Sequence, residues 1–356
     1  MTSAFSWIAA DETAEQALVR IYKKRPFLIF PPPFHRLPLR AGNVVEIVGP
    51  SPSAKTLILI QAAINCILPK EWKGVSYGGL ERAVLFIDLD CRFDVSSISR
   101  ALQRRIIDAN GLRRSSLKGN GNEYDKELFV SSMRRFLYTR CYNSFEFLAT
   151  LKTLHHRIQQ EKGGSAVYML LIDSIGAFYW MDRALPTSST GNNNNRKSLS
   201  LQTVVETVVQ EIQRLLVAHP MLVLATKSAA FGDKQSITEV IRKRPDEKMP
   251  DPRDAQNKPH RCFMPSVWQS FVSHRMLLRA LDGESKHQNR PTFSTEWLLP
   301  PLNCSDHFTV NDVWICSVRI ASIFFIANLI VSSFAAGLSL DPQMKCRRKC
   351  SAVTKR

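Results

Sequence analysis

The stretch Val44–Thr56, VVEIVGPSPSAKT, decides how this chain is read. An apolar run enters a turn built on Gly49, and Lys55-Thr56 opens the apolar segment LILIQAAINCIL, which reads as a helix. A strand, a tight turn and a helix start in that order form a phosphate-binding loop, because backbone N–H groups and the helix N-terminus face an anion together. In that reading Gly49, Pro50, Ser51, Pro52, Ser53 and Ala54 form the loop. Lys55 spans to the β- and γ-phosphates of a nucleotide, and the small Thr56 hydroxyl fits beside its Mg²⁺. The loop departs from G-x-x-x-x-G-K-[ST], with Ala54 where glycine is expected and prolines at 50 and 52. Proline supplies no N–H and alanine tolerates positive φ poorly, so weak or absent nucleotide binding is expected. An ordinary strand-turn-helix with a chance Lys-Thr is the competing reading.

Working outward, Ala83–Asp88 (AVLFID) and Ala166–Asp173 (AVYMLLID) are apolar on both faces and close on acids, as parallel strands covered by helices do. Phe136–Tyr142 and Met221–Thr226 read as further strands. Helices are expected over 95–107, 145–159 and about 204–216, and an N-terminal helical segment over 11–25. Val267–Leu281 is strand or buried helix, and periodicity does not decide. Asp173, at the end of a buried strand downstream of the loop, is expected to hold the Mg²⁺ water shell from the side opposite Thr56; a turn or helix-cap role is its plainer alternative. The expected fold is α/β, with a mostly parallel central sheet flanked by helices. Residues 1–40 read as leader and linker, 41–316 as the core with mobile loops at 183–200 and 227–261, and 317–356 as a divergent tail.

With 44% hydrophobic residues the chain can bury a substantial core, which excludes global disorder. A formal net charge of +17 favours a polyanionic partner. The basic run in 227–261 supplies Arg242, Lys243, Arg244, Lys248 and Arg253 as candidate DNA contacts, against the plainer reading of a solvated loop. The eight cysteines are scattered without metal spacing, and the N-terminus lacks the pattern of a signal peptide, so reduced thiols in an intracellular protein are expected. His274 has no partner acid or cysteine nearby in sequence and reads as structural.

The segments CILPK (66–70), VLFIDLDCRFD (84–94), LLIDSIGAFYWMDR (170–183) and WQSFVSHRMLL (268–278) resemble the eukaryotic recombinase paralogues of the RecA-like family. The similarity runs from Ser3 to about Ser317. It implies a RecA-like ATPase core without a separate N-terminal DNA-binding domain. It also implies a nuclear role in homologous recombination, in which sister paralogues form a hetero-oligomer, bind DNA and support the recombinase filament at double-strand breaks and stalled forks. By position, Asp90 falls where active relatives place a glutamate that activates water, and Lys227 where many carry a glutamine that senses the γ-phosphate. With Ala54 and Pro52 these departures point to ATP and Mg²⁺ bound weakly, or in a site completed by a partner subunit, and to slow or lost turnover. A working DNA-stimulated ATPase is the alternative.

Ile320–Leu340 is uncharged and about 20 residues long, enough to span a bilayer, with Lys345, Arg347, Arg348 and Lys349 following. A membrane tail, a buried helix and an alternative coding end compete here. The first would make this a tail-anchored NTPase; a repair protein has no evident use for one, and no membrane partner is expected.

Overall fold

The computed structural model describes residues 13, 16, 27–28, 30–114, 125–160, 167–184, 200–229, 263–281, 291–311 and 314–317. Two short pairs lie outside the main sheet, β1 (Phe27–Leu28) with β2 (Leu39–Arg40) and β4 (Glu71–Trp72) with β5 (Val75–Ser76). The main sheet holds β3 (Val44–Gly49), β6 (Ala83–Asp88), β7 (Phe136–Arg140), β8 (Val167–Asp173), β9 (Leu222–Ser228), β10 (His274–Leu281), β11 (Thr292–Leu299), β12 (Pro301–Asn311) and β13 (Trp314–Ser317). Its order is β13-β12-β11-β10-β3-β9-β8-β6-β7. Pairing is parallel from β10 through β7 and antiparallel from β10 out to β13. The helices are α1 (Lys55–Ile67), α2 (Val95–Arg114), α3 (Lys126–Met133), α4 (Ser144–Gln160), α5 (Tyr179–Ala184), α6 (Leu201–Ala218) and α7 (Ser266–Phe271).

Both faces of the parallel strands are buried, which is why their sequences are apolar without alternation. Val45, Ile47, Val84, Phe86, Met169, Leu171, Leu222 and Leu224 join the side chains of α1 and α2 in one core. Val44, Leu85, Ile87, Leu170, Ile172, Val223 and Ala225 join those of α4, α6 and α7 in the other. α1 is buried almost all round, so it carries no polar face. α6 is amphipathic, and its Ser200 hydroxyl caps it by accepting from Thr203 N at 3.3 Å.

Several expectations are refined. The 95–107 helix continues to Arg114. The stretch before Phe136 holds a helix, α3, capped by Asp125, which accepts from Leu128 N at 3.0 Å. Residues 267–281 are helix and then strand. The change falls at Ser273, whose hydroxyl donates to Val44 O at 2.9 Å and accepts from Val44 N at 2.9 Å. The stretch read as leader and linker places Phe30, Phe34 and Leu39 in the core. Arg36 forms a two-pronged ion pair with Asp306 of β12.

The chain divides into the units Met1–Ser317 and Val318–Arg356. The second lies outside the described residues, as do the apolar tail, residues 17–25 of the N-terminal segment and the candidates Arg242, Lys243, Arg244, Lys248 and Arg253. Among the described residues no helix is long and apolar enough to cross a membrane, and Cys66, Cys91 and Cys141 are free thiols.

Candidate nucleotide site

The carboxyl ends of β3, β9, β8 and β6 lie side by side, and the loop 50–54 leaves β3 there. Open α/β sheets bind ligands at this edge, where strand order reverses. Gly49 has no room for a side chain, since a Cβ would meet Ser53 Oγ at 2.9 Å and Leu278 Cβ at 3.0 Å. No side chain caps α1 at Ala54, so the helix start offers its first-turn amides to an anion.

Lys55 turns onto its own loop. Its ammonium donates to Gly49 O at 3.0 Å, Pro50 O at 2.7 Å and Ser53 Oγ at 3.0 Å. Burial is the main cause that takes its pKa down to about 8, against the opposing charges of Asp173 and Asp90. Thr56 Oγ1 donates to Asp173 Oδ2 at 2.6 Å, so the hydroxyl and acid expected to flank Mg²⁺ are in direct contact. The other Asp173 oxygen accepts from Thr226 Oγ1, and burial raises this carboxyl's pKa although both hydroxyls and Lys55 oppose it. Mg²⁺ prefers few protein ligands plus phosphates and water, and the Thr56–Asp173 pair fits that requirement. Among the described residues no group of three or more His, Cys, Asp or Glu is arranged to hold a metal.

Asp90 sits beside this pair, with its N–H directed to Asp173 O at 3.4 Å and its Oδ1 accepting from Arg92 N at 3.2 Å. Burial first, then Asp173 and Asp88, push its pKa up to about 6 against the Arg92 N–H. A carboxylate in that range can accept a proton near neutral pH. The same shift makes a stability prediction. The folded chain holds this proton more tightly than the unfolded chain does, so ionisation removes stability as pH rises from about 4 to about 6. Asp90→Asn is expected to stabilise by about 1 kcal/mol at pH 7.5, discounted for the half-exposed carboxyl, and to give no gain at pH 4. Urea unfolding at the two pH values checks this.

One residue takes a place other than that expected from the sequence. Lys227 does not face the phosphate loop and does not begin a loop. It lies within β9, fully buried, with its ammonium 3.2 Å from Glu46 Oε1 and 5.5 Å from the Phe263 ring centroid. Ser228, exposed at the strand end, is in register with Gly49. His274 is structural as read: its Nδ1 meets Ser273 Oγ at 2.9 Å, its ring packs near Trp297, and burial lowers its pKa.

Thr226 and Asp88 border the candidate site as well. Thr226, a hydroxyl in the otherwise apolar run of β9, was the available signal for the second Asp173 contact. Asp88 is fully buried, accepting from Tyr138 OH at 2.9 Å and Arg140 Nε at 3.1 Å, while its Oδ1 has no partner.

No protein-family model matches the chain. The DNA repair protein XRCC2 homolog of Arabidopsis thaliana is 50% identical over 333 residues, covering 87% of this chain and 89% of that protein. This chain belongs to the XRCC2 family. The DNA repair protein XRCC2 of Mus musculus is 26% identical over 246 residues, covering 69% of this chain and 74% of its own length. The α/β architecture, with its largely parallel sheet, is the RecA-like core of this XRCC2 family member.

Proposed function

We propose that this chain is a nuclear DNA repair protein of homologous recombination. It assembles with sister paralogues into a hetero-oligomer, binds DNA and supports the recombinase filament at double-strand breaks and stalled forks. The observation that supports the reading is a strand, tight turn and helix start in phosphate-loop order whose lysine is held by the carbonyls of Gly49 and Pro50. ATP binding must first free Lys55 from those partners, and Pro50 and Pro52 contribute no N–H in exchange, so affinity is weak. Bound Mg²⁺ would neutralise phosphate charge; Thr56 and Asp173 would hold it, and Lys55 would reach the phosphates. Assembly uses the fold and not turnover. Co-purification of the full chain with a sister paralogue tests this: Lys55→Ala is expected to leave the complex intact, and loss of the complex would count against it.

A second reading, a DNA-stimulated ATPase, is favoured by Asp90, whose pKa of about 6 suits a proton acceptor. DNA-dependent phosphate release that Asp90→Asn abolishes would support it.

A further inference from the structure

Ser51 and Pro52 are both exposed on the phosphate loop, where another enzyme can reach them. They form the one Ser-Pro or Thr-Pro pair in the sequence, the dipeptide that proline-directed protein kinases select. A cation stands beside this hydroxyl. The carbonyl joined to Ser51 N is Pro50 O, which accepts from the Lys55 ammonium at 2.7 Å. Ser53 Oγ, two residues on, lies 3.0 Å from the same nitrogen, and Gly49 O lies 3.0 Å away on the other side. Lys55 is only 7% exposed, so its charge is turned into the loop and away from open water. All three of these loop partners are neutral, two carbonyls and a hydroxyl.

We propose that Ser51 is phosphorylated by a proline-directed kinase, and that the phosphoserine takes Lys55 as its partner and closes the loop to nucleotide. In the transfer, Ser51 Oγ bonds to the γ-phosphorus of the kinase's ATP and the bond from that phosphorus to ADP breaks. The hydroxyl proton passes to the kinase's catalytic base. The product carries close to two negative charges and three acceptor oxygens. It therefore offers Lys55 a charge-assisted contact in place of neutral ones. A free nucleotide must bring its phosphates from solution, and Pro50 and Pro52 give it no N–H. A phosphate tethered at Ser51 is already beside the ammonium, so its effective concentration there is high. One lysine cannot serve both phosphates, and the tethered one prevails. This inference rests on the nucleotide-site reading above and adds a means of regulating that site.

The test treats the full chain with a cyclin-dependent kinase and ATP, and maps the phosphate by mass spectrometry. Phosphate is expected at Ser51 and should be missing there from Ser51→Ala. After kinase and nucleotide are removed, the phosphorylated chain should bind Mg·ATP at least about 10-fold more weakly than before treatment, the worth of one charge-assisted contact. A phosphatase should restore the affinity. A second readout needs no nucleotide. The phosphoserine, followed by phosphorus NMR, should lose its last proton at lower pH in wild type than in Lys55→Met, because a nearby ammonium favours the dianion. No phosphate at Ser51, with the kinase active on a Ser-Pro control peptide, would overturn the proposal. The same titration in wild type and Lys55→Met would overturn the contact with Lys55. Undiminished ATP affinity of the phosphorylated chain would overturn the closure. No ATP binding before phosphorylation would overturn the nucleotide reading and the closure with it, while the phosphate map and the titration would show separately whether phosphoserine meets Lys55.

Discussion

Replacing Glu46 with alanine is expected to lower the unfolding free energy by about 3–5 kcal/mol, the range for removing one member of a buried charge pair. Glu46 sits fully buried in the strand that feeds the phosphate loop. Its Oε1 receives Trp268 Nε1 at 2.8 Å and the Lys227 ammonium at 3.2 Å, and its Oε2 receives Arg275 Nε. Burial alone would raise the Glu46 pKa, but Lys227, Arg275 and Trp268 hold it below the usual carboxylate value. Its stabilisation is therefore full above about pH 4.5 and is lost as pH falls through the depressed folded value. Alanine leaves the Lys227 ammonium inside the protein without this carboxylate and the indole N–H without an acceptor. Glu46→Gln keeps an acceptor for the indole and should cost less. The double change Glu46→Met with Lys227→Met should cost less than the sum of the single changes, because the Lys227 ammonium is no longer stranded, although Arg275 and the Trp268 indole still lose their acceptor. Urea unfolding at pH 7.5 of wild type, Glu46→Ala, Glu46→Gln, the two single methionine changes and the double change checks the order; strictly additive losses would contradict the buried-pair account.

The second large effect concerns nucleotide. Lys55→Ala is expected to lower Mg·ATP affinity at least about 100-fold, since charge-assisted contacts to phosphate are worth about 1.5–3 kcal/mol each. The wild-type site also carries a pH signature. With the Lys55 pKa at about 8, the ammonium is mostly present at pH 7 and mostly lost at pH 9. Affinity should fall across that window, to the extent that bound phosphate does not pull the pKa back up. Lys55→Arg, always charged, should flatten the profile. Equilibrium dialysis with labelled ATP at pH 7, 8 and 9 reads both effects. A pH-independent affinity shared by wild type and Lys55→Ala would place any bound nucleotide elsewhere.

Much of the fold was legible because buried parallel strands must be apolar on both faces. VVEIVG, AVLFID, VYMLLID and MLVLAT each announced a central strand, and the acids Asp88 and Asp173 marked where two of them stop. The short helix Lys126–Met133 was not legible, since eight residues hold too few turns to display a period. Residues 267–281 were ambiguous because a six-residue helix and an eight-residue strand share one apolar run, and the break at Ser273 depends on Val44, far away in sequence. At the site, Lys55, Thr56 and Asp173 could be read from local spacing. Glu46 and Lys227 could not, because each is a lone charge in an apolar strand until the parallel pairing of β3 with β9 brings them together.

The measurement that tests the account most directly is survival of cells that lack the endogenous protein after treatment with a DNA-breaking agent, complemented with wild type or with Lys55→Ala at matched abundance. The account predicts that wild type restores survival and that Lys55→Ala restores nearly as much, because the RecA-like core serves assembly and DNA contact and not nucleotide turnover. Wild type without effect would contradict the repair function. Rescue by wild type alone, with a folded and abundant Lys55→Ala protein, would contradict the account by showing that repair needs nucleotide held at Lys55.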